Sequence, residues 1–291
     1  MSTESNVVVG YEGEPTGRDV LAFAREWAKA GGDQITVVTV YEGAAPPGIQ
    51  RVDAEWVAYG REQADQLLNE ARGLLDEKLH AKFVKVASSS AAHGLHDILE
   101  DTEQDTPLVV LGSRPTRGLR RTYPGSTAER LLHGSPVPVA VVPWGYTDSE
   151  VKPFTKVAVA FVDTADGHVA LDHAARIARH LHASLEVISV VPDTRVVPSL
   201  GDVGRFGHDQ RESYRASLDA ALARLPEGLE ATGRLIDGPV VDALADIRPD
   251  EADLMVIGSR GYGPVRRVLM GGVSARVVRH ARIPVVVVPR G

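Results

Sequence analysis

The chain has no cysteine, few methionines and few aromatic residues. Without cysteine it can form neither a disulfide nor a thiolate metal site, so folding needs no oxidising compartment. It also lacks any apolar run approaching the roughly 18 residues that a membrane-spanning helix requires. The opening residues, MSTESN, are not a basic segment followed by an apolar one. We therefore expect a cytoplasmic protein that makes no membrane contact.

The chain also lacks an excess of positive charge. Its formal net charge is -7, which argues against a nucleic-acid-binding protein, since such proteins are usually basic. Hydrophobic residues make up 43% of the 291 residues and charged residues 24%, which is typical of soluble globular proteins. At roughly 150 residues per domain, this length predicts two domains.

An internal duplication is the strongest pattern in the sequence. The block Leu108–Gly145 aligns without a gap to Leu254–Gly291. The amino-terminal parts also match: NVVVGYEG from Asn6 resembles VAVAFVDT from Val157, which pairs Glu12 with Asp163. Internal repeats of this kind indicate two copies of one structural unit. The predicted domains are 1–146 and 152–291, with a linker between them.

Each copy alternates short apolar runs with longer helical patterns. This alternation predicts an α/β fold in which a parallel sheet is flanked by helices. Ligands of such sheets bind beyond the carboxyl ends of the strands. The predicted strands are 6–11, 34–40, 82–87, 107–111, 138–142, 156–161, 184–190, 229–236, 253–257 and 284–288. The predicted helices are 55–79, 167–181, 209–224, 239–247 and 272–280.

A glycine-rich stretch, GSRGYGPVRRVLMGGVS, follows the fourth strand of the second copy. Glycines allow backbone N–H groups to approach a phosphate, and a following helix offers unpaired N–H groups of its own. The stretch is neither a Walker loop nor a dinucleotide-binding fingerprint. Polyphosphate binding is one interpretation. The other is that the glycines serve only close packing of strand and helix, and that the arginines are solvated.

These residues resemble the universal stress protein family. The resemblance rests on a G-x-x-G-x9-G-[ST] motif after the fourth strand, an acidic residue after the first strand, and the PVVVVP ending. It implies two Rossmann-like domains of the adenine nucleotide alpha hydrolase-like type, each a five-stranded, parallel-type sheet flanked by helices. It also implies ATP as ligand, with or without Mg, or another adenine nucleotide. Adenine would lie near the first two strands and the phosphates in the glycine loop.

Carried over to the second copy, the family motif assigns nine binding residues. One position departs from the motif: Gly272 stands where the family has serine or threonine. The hydroxyl that it lacks would hydrogen-bond a phosphate, and such a bond is worth roughly 1.5–3 kcal/mol. The nine candidates are Asp163, Val190, Gly258, Arg260, Gly261, Gly271, Gly272, Val273 and Ser274.

The first copy departs from the motif elsewhere. Pro115 replaces the second glycine, and proline can neither donate a hydrogen bond nor adopt a left-handed turn. Glu12 replaces the expected aspartate, which keeps the charge on a longer side chain. The candidate binding residues of this copy are Glu12, Val40, Gly112, Arg114, Gly125, Ser126 and Thr127.

The resemblance implies a stress-response sensor or regulator with no catalytic residues. A slow ATPase and a nucleotide-free interaction scaffold with degenerate sites are the alternatives. The histidines have no spacing typical of a metal site, so we expect none. The resemblance also implies an intramolecular pseudo-dimer through the last strands, 138–142 and 284–288. This pairing has an independent physical reason, because apolar edge strands aggregate when unpaired. A homodimer of two such chains is a further expectation.

Overall fold

A computed structural model gives the fold. The residues that it describes are 6–13, 15–43, 54–76, 78–100, 108–115, 122–148, 150–192, 203–259, 268 and 270–289.

The described residues of the first half form six strands and four helices. They follow the predicted alternation, with one short extra strand, β5, after the fourth. The strands are β1 (Asn6–Gly10), β2 (Gln34–Glu42), β3 (Ala81–Ser88), β4 (Leu108–Pro115), β5 (Thr122–Pro124) and β6 (Val139–Val142). The helices are α1 (Thr16–Gly31), α2 (Ala54–Leu74), α3 (Ala91–Glu100) and α4 (Ser126–Leu131).

The second half repeats this order after a 3-10 turn at Tyr146–Asp148. Its strands are β7 (Lys156–Ala160), β8 (Ser184–Val191), β9 (Ala231–Asp237), β10 (Leu254–Gly258) and β11 (Val285–Val288). Its helices are α5 (Ala165–His180), α6 (Val203–Ala223), α7 (Val240–Ala245) and α8 (Gly272–His280).

All strands except β5 belong to one continuous sheet in the order β3-β2-β1-β4-β6-β11-β10-β7-β8-β9. Within each half the five strands run parallel, which confirms the predicted α/β fold with two five-stranded units. At the centre β6 and β11 pair antiparallel, with Ala140 opposite Val286. The last strands of the two copies are therefore the ones that meet. The two sets of carboxyl strand ends lie at opposite edges of the sheet as a consequence.

The core has two layers, one on each face of the sheet. Successive valines of β1, β4, β6 and β11 point alternately into one layer and the other, and all are buried. This explains why these strands are continuous apolar runs rather than alternating patterns. Both layers contain residues of both halves, so the halves share their core.

Several predicted boundaries differ from those in the structure, and α6 begins at Val203, six residues before its predicted start. Helix α2 ends at Leu74 instead of extending to Leu79, which lies in a turn that it closes with the carbonyl of Asp76. Strand β4 continues to Pro115, four residues beyond its predicted end, because β5 pairs with its last three residues. None of the described helices is long and apolar enough to cross a bilayer.

The linker between the halves is fixed by a buried carboxylate on α1. Asp19 is 3% exposed. It accepts hydrogen bonds from the backbone N–H of Gly145 and from both the N–H and the hydroxyl of Thr147, each at 2.8 Å. The connection between the two copies therefore packs against the first half instead of trailing between domains.

Candidate functional site

A cavity of about 250 Å³ lies in the first half, beyond the carboxyl ends of β1, β2 and β4. All seven binding residues predicted for this half line it, although they come from four separate segments of the chain. They are Glu12, Val40, Gly112, Arg114, Gly125, Ser126 and Thr127.

Part of the lining of the cavity is apolar. It includes Val20 of α1, Val38 of β2, Leu67 of α2, Leu95 of α3 and Leu111 of β4. Their apolar patterns indicate only core positions, so the sequence did not identify them as site residues. Such a surface suits the flat, largely apolar face of a base.

The polar part of the lining includes Glu12. Its two carboxylate oxygens accept separate hydrogen bonds: one from Nη2 of Arg114 at 2.9 Å and one from the hydroxyl of Thr127 at 3.2 Å. The side chains of Glu12 and Arg114 are 49% and 67% exposed, so the ion pair faces solvent at the mouth of the cavity. Glu12 thus links the end of β1 to Arg114 of β4 and Thr127 of α4 across the mouth of the cavity.

The backbone after Gly112 does not curl around the cavity. Ser113, Arg114 and Pro115 continue β4 and pair antiparallel with Pro124, Tyr123 and Thr122 of β5. Phosphate-binding loops instead turn successive N–H groups toward one point. In the first copy, the start of the glycine motif is therefore a strand pair that carries Arg114 toward Glu12.

The first glycine of each motif has a packing role. A Cβ at Gly112 would lie 3.2 Å from the Cβ of Thr16, and a Cβ at Gly258 would lie 3.3 Å from the Cβ of Ala170. These contacts are closer than most Cβ atoms tolerate, so the glycines allow α1 and α5 to pack against the ends of β4 and β10. Neither has a positive φ angle. For this pair, the structure supports the packing interpretation of the motif.

The second half is described only in part at its motif. Arg260 and Gly261 lie outside the described residues. Gly271 precedes α8 in an extended conformation, and Gly272 and Val273 form its first turn. The hydroxyl of Ser274, which is 7% exposed, donates to the carbonyl of Gly258 at 2.9 Å and so ties α8 to the end of β10.

The pairing of Glu12 with Asp163 is wrong by one residue. Val7 of β1 and Val157 of β7 occupy the same position, each opposite the first residue of the neighbouring fourth strand. This register makes Val162 the counterpart of Glu12. Short runs of valine and alanine fit either register, so the apolar pattern of the strands did not fix the alignment.

Hydrogen bonds beyond the strands agree with the corrected register. The N–H of Tyr11 donates to Val38 and its carbonyl accepts from Thr39, while Phe161 makes the same two bonds with Ile188 and Ser189. The matching aromatic residues are a sequence signal that could have revealed the register.

Asp163 has a different environment from Glu12. Its carboxylate lies 2.9 Å from Nε2 of His168, and the other ring nitrogen lies 3.2 Å from Nη1 of Arg224. Because a guanidinium can only donate, Nδ1 accepts and the proton on Nε2 faces Asp163. Val190, predicted to contact adenine, is 7% exposed at the end of β8. Among the described residues, no group of three or more metal-binding side chains occurs.

Comparison with known proteins agrees with this architecture. The universal stress protein family model matches twice, over residues 5–143 and 153–289. A universal stress protein of Mycobacterium tuberculosis is 28% identical over 97% of this chain and 99% of its own length. One of Synechocystis is 22% identical over 96% of this chain and 98% of its own.

A solved structure shows the same fold over the whole length. The crystal structure of a universal stress protein from Archaeoglobus fulgidus superposes with a TM-score of 0.74 at 22% identity, and all of each chain is covered. Both halves of the present chain thus match the family model, and the tandem arrangement recurs in full-length relatives. The chain belongs to the universal stress protein family, with two such domains in one polypeptide.

Proposed function

We propose that this protein is a stress-response regulator that binds an adenine nucleotide, and that the cavity of the first half is one binding site. The observation that carries the proposal is the convergence of seven residues, chosen from the motif alone, on one cavity. A cavity lined by both apolar and polar side chains fits a ligand that joins a base to a phosphate.

In the proposed complex, the base lies between the apolar side chains of β2, α2 and α3, next to Val40. The ribose and phosphate face Arg114, Ser126 and Thr127, whose donors suit anionic oxygen. ATP is the ligand that family membership suggests. The second half keeps the third motif glycine, Gly271, directly before α8, and we propose it as a further nucleotide site.

Calorimetric titration of nucleotide-stripped protein tests this proposal, with an Ala91→Leu variant to block the cavity. Ala91 lines the cavity from the first turn of α3, so three added carbons fill part of the space for the base. Ala58→Leu, an equal enlargement on an exposed position of α2, is the control.

We expect Ala91→Leu to weaken adenine nucleotide binding at least tenfold and Ala58→Leu to leave it unchanged. No saturable binding by the parent protein would reject the proposal and favour the nucleotide-free scaffold. Binding that Ala91→Leu leaves intact would reject the first cavity as the site.

A further inference from the structure

We infer that Glu12 is a built-in counter-ion that makes the first cavity selective for an adenosine ligand with at most one phosphate, against the triphosphate. The inference rests on the proposed function and specifies the ligand class of that site. It follows from the contacts of Glu12, from the charge of the cavity and from its size.

Glu12 already uses the donors that a phosphate would need. Arg114 and Thr127 both hydrogen-bond to its carboxylate. A polyphosphate can recruit these two donors only by displacing a carboxylate that carries the same sign of charge. A ribose hydroxyl, in contrast, can donate to the carboxylate and leave the pair with Arg114 in place.

The charge of the cavity also disfavours a triphosphate. Of its described lining residues, Glu12 and Arg114 are the only two that carry charge, and their charges cancel. Sites for polyphosphate concentrate positive charge and converging N–H groups. Here the start of the motif, which could supply part of those N–H groups, is paired with β5, and Pro115 has no N–H to offer.

The size of the cavity also favours the smaller ligand. Its volume of about 250 Å³ lies below the roughly 300–1,000 Å³ typical of small-molecule sites. A nucleoside with a single phosphate fills such a space, whereas a triphosphate extends across the mouth that Glu12 and Arg114 bridge.

The second half provides an internal contrast. Its counterpart of Glu12 is Val162, which is 36% exposed and has no charge. The carboxylate of Asp163, one position later, contacts His168 instead. The counter-ion is thus specific to the first copy, so the two halves of one chain differ in the charge that they accept.

Titrations of the full chain with AMP and with ATP test the inference. Binding at the first cavity is defined as the part that Ala91→Leu removes. Glu12→Gln keeps the shape and the hydrogen-bonding oxygen but removes the charge, and Glu62→Gln on the exposed face of α2 is the matched control. Arg114→Gln tests the other half of the ion pair.

The parent protein is expected to bind AMP at least about tenfold more tightly than ATP at this cavity, a difference near 1.4 kcal/mol. Glu12→Gln is expected to abolish the preference by strengthening ATP binding, and Glu62→Gln to keep it. Arg114→Gln is expected to weaken AMP binding.

Other outcomes separate the two proposals. The counter-ion role of Glu12 would be overturned by equal affinities for AMP and ATP, by a preference for ATP, or by a preference for AMP that survives Glu12→Gln. The proposal of nucleotide binding would remain intact in each case. If Ala91→Leu removed no nucleotide binding, both proposals would be overturned.

Discussion

Nε2 of His180 lies 2.6 Å from the carboxylate of Asp33 and joins the end of α5 in the second half to the start of β2 in the first. The Asp33 side chain is 1% exposed. Gly31 makes the approach possible, because a Cβ there would lie 2.1 Å from the same nitrogen. Two residues far apart in sequence thus form an ion pair between the duplicated domains.

This pair makes the domain contact dependent on pH. The hydrogen bond to Asp33 raises the pKa of His180 above its ordinary value of 6.5. A histidine with a raised pKa in the folded state stabilises fully below 6.5, and this stabilisation is lost as the pH rises through the higher, folded-state pKa. We expect His180→Gln to lower the free energy of unfolding by about 1.5 kcal/mol at pH 6 and by less at pH 9.

Urea unfolding of parent and variant across this pH range measures the effect. Gly31→Ala, which displaces the imidazole, should reproduce it, and His93→Gln on the exposed face of α3 should not. An equal loss at both pH values would contradict the role assigned to the protonated imidazole.

His173 on α5 should act in the opposite direction. Burial lowers its pKa to about 4, followed by a smaller effect of the nearby Arg176 charge. A histidine whose pKa is lowered on folding takes up its proton first in the unfolded chain. Stability is therefore lost as the pH falls from about 6.5 to about 4. We expect His173→Gln to reduce this loss, as measured by the dependence of the melting temperature on pH. If the melting temperature of His173→Gln fell on acidification as much as that of the parent protein, the role given to His173 would be contradicted.

Restoring the hydroxyl missing from the second motif should strengthen nucleotide binding there. A Cβ at Gly272 meets no atom within 4 Å, so serine fits without strain. The added hydroxyl would offer a hydrogen bond to a phosphate, worth roughly 1.5–3 kcal/mol, or tenfold or more in affinity. Calorimetry with ATP on Gly272→Ser and Ala91→Leu together isolates the second half. Gly272→Ala is the control, and equal affinity of the serine and alanine variants would refute the prediction.

Removing the carboxylate of Asp19 should release the linker. Asp19→Ala leaves three donors of Gly145 and Thr147 without their acceptor. Each unsatisfied donor costs about 1–3 kcal/mol when buried, and solvent can reach some of them. We expect a total loss near 3 kcal/mol in unfolding free energy, together with faster proteolysis between the halves. Asp219→Ala, at an exposed position of α6, should change neither. A loss no greater than that of the control would show that the linker does not depend on Asp19.

The sequence predicted the architecture because the fold is encoded in local patterns that the duplication repeats. Valine-rich runs predicted the buried strands, and the resemblance to the family implied the central pair of β6 and β11. The same uniformity caused the error at Glu12, because a run of valines does not distinguish neighbouring registers. The contacts of Asp33 with the second half and of Asp19 with the linker join residues far apart in the chain. Neither periodicity nor motif spacing contains information about such pairs.

The candidate site was predictable only where a motif named its residues. Glycines and hydroxyls of the loop pointed to Gly125, Ser126 and Thr127, which do line the cavity. Whether a glycine packs or binds depends on what faces its missing Cβ, and Gly112 could be assigned to packing only from the structure. The role of Glu12 likewise depends on its contacts.

Photoaffinity labelling with 8-azidoadenosine monophosphate, followed by peptide mapping, is the most direct test of the proposed site. We expect labelling of the peptides that contain Val40 or Ala91–Leu95. An excess of AMP should prevent this labelling, and so should the Ala91→Leu substitution. Labelling confined to other peptides, or labelling that AMP does not prevent, would contradict adenine nucleotide binding in the first cavity.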